Sequence, residues 1–190
     1  MERRKALKFT TALLGVSIVG GEAFLLGCKA KNEVTGLFSS DDVLFLDEVG
    51  ETILPESDRS PGAKAAQVGE FMKTMITDCY TEAEQKIFIK GIETIDQLSE
   101  RQFGGDFTSL SPMQRHDLLS ELDNQAKAFS TNGDIHFFSM MKQLTILGFF
   151  TSEIGVTQAL RYNPIPGDYD GCAEYKPGDS AWQGPLSSLG

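Results

Sequence analysis

Reactive side chains are scarce in this chain of 190 residues, which has two histidines, three cysteines and one tryptophan. Neither His116 nor His136 has a Glu, Cys or second His at a metal-ligand spacing such as H-x-x-x-H or E-x-x-H, so no metal site is expected. C-x-x-C-H is missing, which excludes covalent haem. There is no G-x-G-x-x-G after a strand and no G-x-x-x-x-G-K-[ST], so the chain has no nucleotide cradle of its own. No serine lies in G-x-S-x-G. Positive charge is also short: 17 Lys and Arg stand against 27 Asp and Glu, a formal net charge of −10. Such a body repels phosphate backbones, so nucleic acid and anionic membrane surfaces are poor partners. Repeats, low-complexity tracts and runs of strand-like alternation are missing too.

What is present is enough apolar material, 41 % of residues, for one well-packed domain. Thirteen Phe and six Met point to a core of flat and flexible side chains. Residues 1–27 read as an export signal. Arg3, Arg4, Lys5 and Lys8 precede a mostly apolar stretch ending in Leu25-Leu26-Gly27-Cys28. That ending resembles a bacterial lipobox, whose cysteine takes diacylglycerol through its nucleophilic sulfur, so Cys28 is the expected lipid attachment. Arg3-Arg4 with Leu7 and Lys8 resembles a twin-arginine signal, departing from the usual pattern at Glu2 and Ala6. An uncleaved transmembrane anchor is a second reading, opposed by Glu22 and four glycines in the stretch. A soluble cytoplasmic chain with a chance cysteine is a third. Export would place the mature chain on the periplasmic side of a bacterial membrane, with residues 28–39 as a lipidated tether and 40–190 as the domain. The mature part keeps 13 basic and 25 acidic residues, hence −12. Cys79 and Cys172 would remain, either as one disulfide in an oxidising compartment or as two buried thiols.

The fold expected for 40–190 is all-α, a compact helical bundle with an extended, disulfide-tied C-terminal tail. Ser40-Asp41-Asp42 can cap a helix from about Val43 to Leu54, which Pro55 ends. A second runs from about Lys64 to Tyr80. Thr81-Glu82-Ala83-Glu84 is a capping box opening a third, to about Arg101, and Ser111-Pro112-Met113-Gln114 is another opening a fourth, to about Phe129. Phe107 and Leu110 are expected to pack on the core between them. An apolar helix follows over Asp134–Phe150, and a short one over about Glu153–Arg161. From Tyr162 onward Pro and Gly exclude regular helix.

Asp41-Asp42 and Asp47-Glu48 read as helix-start and surface charges, His116 as a solvated residue and His136 as a packed one. Glu153 can favour a helix start capped by Thr151-Ser152, or meet a partner. Tyr162, Tyr169, Tyr175 and Trp182 either anchor an interface or pack back on the bundle.

Several segments together resemble the gluconate 2-dehydrogenase subunit 3 family: Thr52-Ile53-Leu54-Pro55, Pro61-Gly62-Ala63, Cys79-Tyr80-Thr81, Leu144–Glu153 (L-T-I-L-G-F-F-T-S-E) and Pro166–Cys172 (P-G-D-Y-D-G-C), with a late Trp182. The resemblance spans roughly 41–183. It implies a small accessory subunit with no catalytic residue and no cofactor of its own. Its partner would be a large glucose-methanol-choline type flavoprotein that binds FAD and oxidises a sugar or sugar acid, in some complexes passing electrons to a cytochrome c. The small subunit would bind, stabilise and co-export that partner, with Phe149, Phe150, Glu153, Tyr162, Tyr169 and Trp182 as interface. A stand-alone periplasmic binding or scaffold lipoprotein is the alternative, and an enzyme using Glu153 with His136 a third reading.

Overall fold

The computed structural model describes residues 36–129, 135–165, 172 and 176–183. Cys28, Arg3, Arg4, Tyr169 and Tyr175 therefore lie outside the described residues. The chain divides into two units, Met1–Ser39 and Ser40–Gly190. In the first, only residues 36–39 are described, a short run of bends.

The second unit is mostly helical. Its elements are α1 (Ser40–Ile53), α2 (Val68–Cys79), α3 (Glu82–Phe103), α4 (Pro112–Phe129) and α5 (Phe137–Thr151). Single 3-10 turns occupy Ala63–Ala66 and Phe107–Ser109. The central element is α5, which packs on all four other helices. Its sequence is apolar on nearly every side, burying most of those residues against the other helices and leaving Ile146 and Leu147 exposed. The core comprises Leu46, Val49, Met72, Ile76, Phe88, Ile95, Phe107, Leu118, Leu122, Met141 and Leu144, each no more than 2 % exposed.

Local chemistry explains where the helices begin and end. Both capping boxes form. Thr81 Oγ1 accepts from the Glu84 N–H while a Glu84 carboxylate oxygen accepts from the Thr81 N–H at 2.9 Å. Ser111 and Gln114 repeat the exchange. Gly104 ends α3 in the left-handed region at φ 75°, where a glycine costs least. The α2 start differs from expectation. The chain makes a 3-10 turn, reverses at Gln67 (φ 54°) and only then enters α2. Gln67 gives no side-chain cap. The Asp47 carboxylate on α1 supplies it instead, accepting from the Gly69 N–H at 2.8 Å.

The connection from α1 to that turn is pinned by one residue. The two carboxylate oxygens of Glu51 accept the N–H groups of Glu56 and Lys64, each at 2.9 Å, and the Ala63 N–H donates to the Leu54 carbonyl at 2.9 Å. A side chain on Gly62 would place its Cβ on the Glu51 carboxylate, well under 3.0 Å away. An alanine at Gly62 would therefore have to displace the Glu51 carboxylate and the two hydrogen bonds it accepts.

Beyond α5 one expectation is met in altered form and another fails. The short helix expected over Glu153–Arg161 forms, but as α at Glu153 and Ile154 and then as a π-helix over Gly155–Ala159, ending before Arg161. It leads into β1 (Arg161–Tyr162), which pairs in parallel with β2 (Trp182–Gln183), Arg161 opposite Trp182. The tail is therefore tied by a short ladder, through the Arg161 N–H donating to the Ala181 carbonyl at 2.8 Å. The disulfide expected to do that work is not formed. Cys79 and Cys172 are both exposed, and no bond joins them.

Candidate functional site

The residues expected to face a partner divide by exposure. Phe149 is 2 % exposed and belongs to the core, which corrects its place in the expected interface. The helical phase that buries Met141, Leu144, Thr145 and Gly148 carries Phe149 inward as well. Phe150 is half-buried and meets it edge-on, with ring centroids 5.1 Å apart. Glu153 is exposed. Just before it, Ser152 Oγ accepts the Gly155 N–H at 3.0 Å and donates to the Phe149 carbonyl at 2.7 Å, so Ser152 supports the new turn as a cap should.

Tyr162 and Trp182 do not pack back on the bundle. They are 56 % and 61 % exposed. Arg161 steadies this corner, with its guanidinium 4.9 Å from the Trp182 ring centroid and 2.8 Å from Asp179. Asp179 is fixed in turn by accepting from the Lys176 N–H at 3.1 Å. Ordered Tyr, Trp and Arg side chains are the types that dominate binding energy at interfaces. Ile146 and Leu147, on the side of α5 opposite its buried residues, are also exposed. Sequence reasoning missed them, although a helical wheel of the L-T-I-L-G-F-F segment separates them from Leu144 and Gly148.

A second feature is an open cleft of about 460 Å³. The C-terminal end of α1 contributes Ile53, α4 contributes His116, Leu119, Ser120, Asp123, Asn124 and Lys127, and α5 contributes Phe138 and Lys142. Spacings of three and four residues put the α4 members on one face. Asp123 accepts from Lys127 at 2.6 Å and from Lys142 at 2.7 Å. Hydrogen bonds from Lys127 and then Lys142 hold its carboxyl below the ordinary value. The Asp123–Lys127 pair at i, i+4 was a visible signal; the approach of Lys142 from another helix was not.

Elsewhere, charge serves packing. Glu48 is a node between Lys64 and Arg115. Burial pushes its carboxyl up, but hydrogen bonds from Lys64 and Arg115 outweigh that and leave it below the ordinary value. Burial raises Asp47 despite the Gly69 hydrogen bond. His136 is not within a helix. It caps α5, its Nδ1 accepting the Phe138 N–H at 3.2 Å, and stacks on Phe137 at 4.5 Å between centroids. Burial lowers its pKa. His116 is exposed, 3.7 Å from Asp117.

No acid–base pair arises from His136 and Glu153. They flank opposite ends of α5, which at 1.5 Å per residue separates them by roughly 25 Å. Among the described residues no group of three or more His, Cys, Asp or Glu side chains is placed to hold a metal ion, and no helix is long and apolar enough to cross a membrane.

No curated protein and no solved structure matches the chain. A family model does: that of gluconate 2-dehydrogenase subunit 3 matches residues 40–167, a stretch running from the first residue of α1 through all five helices and β1. The chain therefore belongs to the gluconate 2-dehydrogenase subunit 3 family, the accessory subunits of dehydrogenase complexes.

Proposed function

We propose that this chain is the non-catalytic small subunit that binds, stabilises and co-exports a large FAD-dependent sugar or sugar-acid dehydrogenase of the glucose-methanol-choline type. The observation that carries the reading is the family match over the whole helical body, residues 40–167. Binding only the folded partner would stabilise that partner by mass action. FAD would sit on the large subunit, and a cytochrome c would accept its electrons. The exposed corner of Tyr162, Arg161 and Trp182, with Ile146 and Leu147 of α5, offers the apolar and aromatic anchors that such a grip requires. Phe150, Glu153 and Tyr169 adjoin it in sequence.

Arg3 and Arg4 would direct the assembled, flavin-loaded pair through the twin-arginine route, which carries folded proteins. Lipid on Cys28 would then hold the complex at the periplasmic side of the membrane, each buried methylene contributing ~0.8 kcal/mol. The central test is co-purification. The tagged chain should bring down a larger protein with flavin absorbance, and Trp182→Ala should weaken that capture while leaving the helical signal unchanged. A chain that remains alone in its native host would overturn the reading. Cys28→Ser should release the complex into the soluble periplasmic fraction, and Arg3→Lys with Arg4→Lys should retain both subunits in the cytoplasm.

A further inference from the structure

We propose that Gly155 and Ser152 are positioning residues for partner binding: together they key the exposed corner of Arg161, Tyr162 and Trp182 to the buried end of α5 and so present it preformed. That corner is the grip assigned under the accessory-subunit reading, on which this inference rests. At the root of the corner is a close approach. Gly155 is buried, and a Cβ there would lie 1.9 Å from the Phe149 carbonyl oxygen and 2.8 Å from its carbon. Both are backbone atoms of a residue held in the core at 2 % exposure, so no side chain can rotate away to make room.

A run of hydrogen bonds leads outward from that contact. Ser152 Oγ donates to the Phe149 carbonyl at 2.7 Å and accepts the Gly155 N–H at 3.0 Å. Thr145 and Thr151 of α5 behave differently, each donating to the carbonyl one turn back, at 2.8 and 2.7 Å. The Gly155 carbonyl accepts from the Leu160 N–H, five residues on, at 3.1 Å. That is the spacing of a π-helix, a rare geometry that recurs at functional sites. Arg161 comes next, and its N–H donates to the Ala181 carbonyl at 2.8 Å to open the ladder. Gly155 therefore contributes through its N–H, its carbonyl and its lack of a side chain. Two strands of two residues are too short to hold a corner unaided, so its orientation comes from this segment. Aromatic anchors fixed before the partner arrives lower the ordering cost of association.

Trp182 is the one tryptophan of the chain, so its fluorescence reports on the ladder alone. The full-length chain and its Gly155→Ala, Ser152→Ala and Ser152→Thr variants are compared by time-resolved anisotropy of Trp182, by hydrogen exchange at the Arg161 and Asn163 amides, and by capture of the flavin-bearing partner. Gly155→Ala should speed exchange at both amides at least about tenfold and add a fast component to the anisotropy decay. It should weaken capture about tenfold, while the amides of Leu118 and Leu122 exchange as in the parent. Ser152→Ala should move every readout the same way by a smaller factor, and Ser152→Thr, which keeps the hydroxyl, should restore them. Unchanged exchange and anisotropy in Gly155→Ala overturn the proposal, as does a loosened Trp182 with capture intact. If Gly155→Ala fails to fold, the two Ser152 variants decide by the same criteria. A parent chain that captures no flavoprotein overturns the underlying reading and, through it, this one; a parent that captures it while the variants behave identically overturns this one alone.

Discussion

Replacing Gly69 by alanine tests the crossing of α1 and α2. Gly69 opens α2 where it crosses α1, and a Cβ there would sit well under 3.0 Å from the Val43 carbonyl oxygen and 3.0 Å from both the Asp47 backbone nitrogen and its carboxyl carbon. Two of those atoms are backbone and cannot rotate away, so α1 and α2 must move apart. Overpacking of that kind costs about 1–3 kcal/mol. The separation also stretches the hydrogen bond from the Gly69 N–H to Asp47, worth about 1 kcal/mol. Against these stands the better helix propensity of alanine, about 1 kcal/mol. The balance is a loss of about 2 kcal/mol. In a domain of this size that lowers the melting temperature by about 4–8 °C. Thermal and urea unfolding followed by circular dichroism should show the drop with an unchanged urea slope. A variant melting at or above the parent temperature would refute the crossing described here.

Asp47→Asn keeps an oxygen for the Gly69 N–H but removes a charge that burial disfavours. Because the folded pKa is raised above 3.8, the ionised group costs stability at neutral pH, so the variant should be more stable there by up to about 1 kcal/mol, an advantage that urea melts should show shrinking as pH falls. Glu48→Gln should lower stability by about 1–3 kcal/mol by weakening the hold on Arg115, which already has a buried Nε without a hydrogen-bond partner. The folded Glu48 pKa lies below 4.5, so its contribution is present above that pH and disappears as pH falls through the folded value; parent and variant should converge in acid. His136 contributes with the same sign at higher pH. Its folded pKa lies below 6.5, so the parent should lose stability as pH drops from there through the folded value. Hydrogen exchange at the Phe138 amide should accelerate in step, and His136→Asn, which keeps a cap acceptor but does not titrate, should flatten the profile.

Sequence carried the helical body well because its signals are local. Thr81 with Glu84 and Ser111 with Gln114 declare helix starts within four residues. The inward stripes Met72 with Ile76 and Leu118 with Leu122 follow from period alone. What escaped depends on contacts distant in sequence. Capping of α2 by Asp47 crosses 22 residues, and the ladder joins residues 161 and 182 with only two residues per strand, too few to show alternation. The helix expected after Ser152 is present but widens to π geometry from Gly155, beside β-branched Val156 and Thr157, which α-helices tolerate poorly. The residues expected at an interface divide by exposure: Tyr162 and Trp182 are exposed, whereas Phe149 is buried, because adjacency in Phe149-Phe150 does not say which ring faces inward. The cleft was not visible, since Lys142 reaches Asp123 only after α4 and α5 have packed.

The parallel pairing of β1 with β2 has an evolutionary consequence. Strands running in the same direction cannot be joined by a tight turn, and the cost of closing a flexible connection grows only with the logarithm of its length. Doubling it would cost about 0.6 kcal/mol, less than losing one capping residue. Relatives should therefore gain and lose residues most readily between the Pro166–Cys172 motif and Trp182, while the spacing from Glu51 to Gly62 stays constant.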